Sequence, residues 1–210
     1  MLVQTMPRIN PEYREDAKKK IIDAAVDVAF EGDWGSVTLE AIAQKVGVTK
    51  GAFYSYFPNS MALMQDVIIA MIRRIRDHVL SRIAGADDIR AALGRIADFI
   101  FLQPKPFILI FIQAIASAPK DPEFVQRLSD LFDENSILIT GELARAQKNG
   151  QIPAEVDLKE ATRAIYCMTI GLALAAHALQ KDKNELRQTW LNSVERILLL
   201  VPKGKKKDRR

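Results

Sequence analysis

Residues 38–57, TLEAIAQKVGVTKGAFYSYF, constrain this 210-residue chain more tightly than any other stretch. Leu39, Ile42, Ala43 and Val46 recur at the three- and four-residue spacing of one helix face. Gly47 then interrupts the period, and Val48-Thr49 restart a second short helix with Thr49 as its cap. A first helix, a tight Gly-containing turn and a second helix make a helix-turn-helix pattern. Thr49, Lys50, Gly51, Tyr54 and Tyr56 on the second helix suit a surface that meets phosphates and base edges.

The rest of the chain repeats the helical period and shows no alternating β-type runs, so the expected fold is all-α. Apolar residues make up 49% of the chain, which indicates a globular protein. Helix one spans about Glu12 to Glu31, with Ile21, Ile22, Ala25, Val28 and Ala29 as its buried stripe. Pro58-Asn59-Ser60 offers a stop and a cap before a long helix to Ile83, with Leu63, Val67, Ala70, Met71, Ile75 and Val79 on one side. Further helices are expected from Asp87-Asp88 to Leu102, from Phe107 to Ser117, from Asp121-Pro122 to Asn149-Gly150, from Asp157 to Gln180, and from Asn184 to Leu200. That makes about nine. They divide into an amino-terminal three-helix domain, 1–58, with 1–10 expected to be disordered, a helical domain, 59–202, and a basic tail, 203–210.

Charge composition does not by itself argue for nucleic acid. Residues 1–60 hold 7 Lys/Arg against 8 Asp/Glu, residues 61–202 hold 17 against 17, and residues 203–210 hold 6 against 1, so the net +4 sits in the tail. Phe99–Ala118 contains Pro104, Lys105 and Pro106, and Ala164–Leu179 is shorter than the roughly 20 apolar residues a membrane span needs. With no secretory signal at the amino terminus and a single Cys167, the expected setting is soluble and cytoplasmic. Cys167 itself reads as buried filler, because it has no second Cys to resolve it. Two distant His residues and one Cys give no metal-ligand cluster, and no phosphate loop or nucleophile elbow appears. The reading is therefore a non-enzyme without metal or cofactor.

The residues 12–63 strongly resemble the tetracycline-repressor (TetR) family of bacterial transcription regulators. The resemblance rests on the apolar stripe of helix one, Thr38-Leu39-Glu40-Ala41-Ile42-Ala43, Gly47-Val48, Thr49-Lys50-Gly51, Phe53-Tyr54-Ser55-Tyr56-Phe57 and Leu63. Asp121-Pro122-Glu123 and Gly150-Gln151-Ile152 extend it more loosely. It implies an amino-terminal DNA-binding domain and a carboxy-terminal domain for ligand binding and dimerisation. It further implies a regulator that binds double-stranded operator DNA as a homodimer and is released by a small molecule. The competing class is a helical small-molecule carrier or interaction protein with a vestigial helix-turn-helix.

The expected DNA contacts are Thr38, Thr49, Lys50, Gly51, Ala52, Tyr54, Tyr56 and Ser60. Thr49 and Lys50 reach phosphate or a base edge, Gly51 lets the backbone approach the groove wall, Ala52 touches a thymine methyl, and the two tyrosine hydroxyls meet phosphates. Phe53 and Phe57 anchor the helix from below. Ser60 stands where the family often has Lys; it is expected to cap its helix, but it brings one charge fewer to the phosphate. For a small, largely apolar effector the candidate pocket is Met71, Phe99, Phe107, Phe111, Tyr166, Met168 and His177. For the dimer interface the candidates are Gly171, Ala175, Ala178, Trp190, Val194 and Ile197, on the last two helices.

Overall fold

The computed structural model describes residues 11–31, 37–84, 86–103, 108, 112, 115, 116 and 121–200, save the side chains of Pro11, Phe30 and Lys50. The chain forms two compact units, residues 1–72 and 73–210. The described residues are all-α, as expected, and hold seven α-helices and one 3₁₀ helix. The difference from nine has two sources: the second helix of the turn motif is 3₁₀, and most of the expected Phe107–Ser117 helix lies outside the described residues, although residues 108, 112, 115 and 116 are helical.

In the first unit, α1 (Pro11–Glu31) buries Ile21, Ala25, Val26 and Ala29, with Ile22 and Val28 only half-buried. The buried stripe is thus rotated slightly from the expected one, because Val26 takes the place that Ile22 and Val28 were expected to fill. Thr38 caps α2 (Leu39–Val46), its Oγ1 accepting from the Ala41 N–H at 3.1 Å. Gly47 ends it at φ +75°, a left-handed conformation that glycine adopts without steric cost, and donates its N–H to the Ala43 carbonyl at 2.9 Å.

Lys50–Ser55 follows as the 3₁₀ helix. Its i→i+3 bonds run from the Ala52 N–H to the Thr49 carbonyl and from the Tyr56 N–H to the Phe53 carbonyl, both at 2.9 Å. A segment of six residues recovers little from α-type bonds after fixing its first turn, and short pieces of this length commonly wind as 3₁₀. Thr49 holds the N-cap position with extended backbone, but its side chain makes no capping bond. At α3 (Ser60–Ile83) the cap is Asn59, not Ser60: Asn59 Oδ1 accepts from the Ala62 N–H at 2.8 Å. Ser60 is already the first helical residue, so its side chain is one position too late to cap.

The division between the units falls inside α3, between Ile72 and Arg73. In the second unit stand α4 (Ile89–Phe101), α5 (Pro122–Lys148), α6 (Leu158–His177) and α7 (Lys183–Ile197). Asp88, Asp121, Asp157 and Asp182 cap these four helices, each carboxylate accepting two backbone N–H groups. A carboxylate there satisfies orphan donors and meets the positive end of the helix dipole. Asn149-Gly150 end α5, with Gly150 at φ +73°. The last two helices stop about three residues before the expected positions because Gln180 (φ 53°) and Leu199 (φ 49°) turn left-handed behind them.

The core of this unit gathers Leu93, Ile96, Ala97 and Phe101 of α4, Leu143 and Ala146 of α5, Ala161 and Ala176 of α6, and Trp190 and Val194 of α7. Two ion pairs bind α4 to α7 at its edge, Arg90–Glu195 at 3.1 Å and Arg187–Asp98 at 2.6 Å. No helix among the described residues is long and apolar enough to cross a membrane.

Candidate nucleic-acid interface

The reading segment is built on two buried rings. Phe53 and Phe57 are 2% and 3% exposed, whereas Tyr54 between them is 57% exposed. With Leu39 and Leu63, the phenylalanines line a small depression that also reaches Tyr54, Asn59 and Ser60. The 3₁₀ winding therefore commits Phe53 inward and turns the next residue outward. Thr38, Thr49, Gly51, Ser55 and Ser60 are exposed as well; Ala52 and Tyr56 are half-buried. A Cβ added at Gly51 would meet no protein atom within 4 Å, so the surface there is open. The backbone of Lys50 begins the segment.

Three cations of α1 and α2, Lys45, Lys18 and Arg14, are engaged within the unit. Lys45 Nζ pairs with Glu31 at 2.6 Å, linking the ends of α2 and α1. Lys18 Nζ lies 3.6 Å from Glu15 and 5.9 Å from the centre of the Phe57 ring. Arg14 Nη2 donates to the Ser55 carbonyl at 3.1 Å, across 41 residues of sequence. The sequence reading missed Arg14 and Asn59. Asn59 carried a legible signal, since Asn before a helical run is a strong cap; Arg14 carried none, because only the folded unit brings it to Ser55.

The seven effector candidates fall in different places. Phe107 and Phe111 lie outside the described residues, and Met71 is buried in the first unit. In the second unit Phe99 is buried, with the His78 ring 4.1 Å away centre to centre and the Arg82 guanidinium 4.7 Å from its own centre. Tyr166 stacks on Phe132 at 4.7 Å, and its oxygen accepts from Asn135 Nδ2 at 3.0 Å. Burial pushes the Tyr166 hydroxyl above the ordinary phenol range, although the Asn135 hydrogen bond opposes it. Asn135, only 2% exposed, accepts in turn from Arg76 Nη1 at 3.4 Å, and Arg76 binds Glu134 at 2.6 Å. Partial burial would raise Glu134, but its hydrogen bond to Arg76 and the charge of Arg73 hold it below its ordinary value.

Met168 packs against the core of the unit. His177 is 5% exposed, with Nε2 2.9 Å from the Ile100 carbonyl; burial depresses its pKa, the Ile100 bond opposes this, and Lys183 adds to it. Of the interface candidates, Gly171 and Ala178 are exposed, and Ala175 and Ile197 are half-buried. Trp190 and Val194 are instead spent inside the unit, at 2% and 0% exposure. Trp190 Nε1 donates to Thr169 Oγ1 at 2.7 Å, which fixes the ring inward. Cys167, expected to be buried, is exposed on α6, one helical turn before Gly171. Among the described residues no His/Cys/Asp/Glu group is arranged to hold a metal ion.

Comparison with known proteins bears on residues 21–67, which match the family of bacterial regulatory proteins named for tetR. The helix-turn-helix transcriptional regulator TtgR of Pseudomonas putida is 26% identical over 94% of this chain and 98% of its own length. The regulator RutR of Escherichia coli is 33% identical over 59% of this chain and 60% of its own. A transcriptional regulator from Saccharomonospora viridis, solved in complex with choline, shares the fold with a TM-score of 0.64 over 87% of this chain and 96% of that one, at 16% identity. The capped α2, the left-handed Gly47 and the reading segment all lie inside the matched residues, so residues 21–67 form a helix-turn-helix, DNA-binding segment of the TetR family of transcriptional regulators.

Proposed function

We propose that the chain is a dimeric repressor that a small, largely apolar effector releases from operator DNA. The observation that carries this reading is the division of labour in residues 50–57: Phe53 and Phe57 are committed to the core while Tyr54 and the open edge at Gly51 face outward. Such a segment has a rigid base and a polar, sterically open outer edge, as entry into a major groove requires. Thr49, Lys50, Gly51 and Ala52 then meet the groove, and Thr38, Tyr54, Tyr56 and Ser60 meet phosphates on either side. A twofold dimer presents two such segments to half-sites about 34–36 Å apart. The exposed face of α6, with Ala164, Gly171, Leu174 and Ala178 at helical spacing, supports a partner helix at close approach.

The stacked Phe132–Tyr166 pair, with the buried Asn135 bonded to the Tyr166 oxygen, supports an aromatic wall with one polar handle for an effector in the second unit. The regulator of S. viridis, with the same fold, holds choline, which gives a precedent for a small organic ligand. An effector acts by favouring one arrangement of the two reading segments over the other.

The test is fluorescence anisotropy with host genomic fragments in excess competitor DNA, on the native chain and on Lys50→Glu. Competitor-resistant binding by the native chain, lost in the charge reversal while the far-UV spectrum is kept, supports the reading. Native affinity in Lys50→Glu refutes the placement of the reading segment. Failure of the native chain to retain any fragment at low salt favours a carrier instead.

A further inference from the structure

The Arg14–Ser55 contact is unusual in what it joins. Residue 55 is the last of the 3₁₀ reading segment, where backbone carbonyls run out of partners within the helix. The Tyr56 and Phe57 N–H groups both turn back to the Phe53 carbonyl, at 2.9 and 2.8 Å. The Ser55 carbonyl is taken by a guanidinium from α1. One turn further along α1, on the same face, Lys18 lies over the Phe57 ring. Two cations of one helix face thus hold the exit of the reading segment, residues 55–57. The entrance is held separately, by Gly47 and the capped α2.

We propose that Arg14 is a positioning residue for DNA reading: it binds the terminal carbonyl of the reading segment and thereby sets how Gly51 and Ala52 meet a groove and how Tyr54 meets the phosphate beside it. This rests on the DNA-reading role of that segment. A guanidinium reaches and orients a carbonyl in a way that a shorter ammonium does not reproduce. A small displacement of a presented surface costs far more in specific recognition than in general attraction to phosphate, which depends on charge number.

The test compares Arg14→Gln and Arg14→Lys with the native full-length chain. Each is titrated with the genomic fragment that the native chain retains and with a scrambled duplex of equal length, over a salt series. A positioning role predicts a similar loss of about tenfold on the fragment in both variants, little change on the scrambled duplex, and an unchanged salt slope. Amide exchange at Tyr56 and Phe57 should quicken several-fold, while Ile42 in α2, bonded to the Thr38 carbonyl at 3.0 Å, keeps its protection.

Native binding retained by Arg14→Lys, with a salt slope shallower by about 0.9 in Arg14→Gln, would instead make Arg14 a phosphate contact and overturn the proposal. Native behaviour of both variants overturns it as well, as does equal quickening of exchange throughout residues 39–63, which marks general unfolding. If the native chain itself retains no fragment, the underlying DNA reading fails, an outcome distinct from all of these.

Discussion

Gly51→Ala separates recognition from stability more cleanly than any other substitution in the reading segment. An added Cβ meets no protein atom within 4 Å, and the backbone there is not left-handed, so the folded chain has room for it. Removing a glycine from such a position restricts the unfolded chain and stabilises by about 0.4–1 kcal/mol. The same methyl group, pressed into a closely fitted groove wall, costs about 1–3 kcal/mol, which is a loss of affinity of about 5- to 150-fold. Expected together are a urea midpoint at or above native and an operator affinity clearly below it. Gly47→Ala and Gly150→Ala serve as controls, since both sites are open but lie at φ +75° and +73°. Forcing alanine into that region costs about 1–2 kcal/mol, partly offset by the same restriction of the unfolded chain. Gly47→Ala should lose stability and operator binding together, and Gly150→Ala stability alone. Chemical denaturation followed by circular dichroism, with anisotropy titration, reads both quantities. Operator affinity within twofold of native in a stable Gly51→Ala would show that the segment does not enter the groove.

Ser60→Lys should restore an ionic phosphate contact, tightening binding at low salt and steepening the log–log salt slope by about 0.9; an unchanged slope excludes Ser60 from the phosphate path. Acidification should destabilise the second unit through its histidines. Burial lowers the pKa of His177 and of His78 in the folded chain, so the unfolded chain binds more protons and stability is lost as pH falls through the window below about 6.5. Urea midpoints measured at about pH 7.5 and about pH 5.5 should diverge less in His177→Gln than in the native chain; equal divergence refutes the assignment. Trp190→Phe removes the 2.7 Å bond to Thr169 and leaves part of the ring volume empty, a loss of about 2 kcal/mol by denaturant titration. A loss under about 0.5 kcal/mol would mean that the site closes around the smaller ring.

Helices were legible wherever a cap and a terminator bracketed a periodic run. Asp121-Pro122 and Asn149-Gly150 mark α5 at both ends, because a carboxylate, a fixed φ and a left-handed glycine act through neighbouring backbone alone. The ends of α6 and α7 were not legible, since Gln180 and Leu199 turn left-handed without a glycine to announce it. The 3₁₀ winding of residues 50–55 was hidden for a related reason: α and 3₁₀ periods barely differ over six residues. Periodicity placed the apolar face of the last helix but could not say which partner covers it, so Trp190 and Val194 were read as surface for a second subunit and are core of the first. In the reading segment order and spacing foretold the exposure of Thr49, Gly51 and Tyr54, but not that Ala52 and Tyr56 are half-buried. Nor did they foretell Arg14, because its contact is tertiary.

The side chain of Gln151 shows how late the second unit can be completed. Its Nε2 donates to the Ala86 carbonyl at 3.0 Å, and its Oε1 accepts from the Ile89 N–H at 2.8 Å. With Asp88 accepting from Arg90 and Ala91 through its side chain and from Ala92 through its carbonyl, every opening N–H of α4 has a partner. One of them waits for a residue made 62 positions later. The ion pairs of α4 wait longer still, for Arg187 and Glu195. On a ribosome adding about 5–20 residues per second, α4 emerges several seconds before its partners exist. During that interval its apolar face, Leu93, Ile96 and Phe101, has no α7 to lie against. The contacts described for the first unit, by contrast, close within residues 11–72. Nascent chains stalled before residue 183 should therefore expose an adhesive α4 and bind a chaperone there.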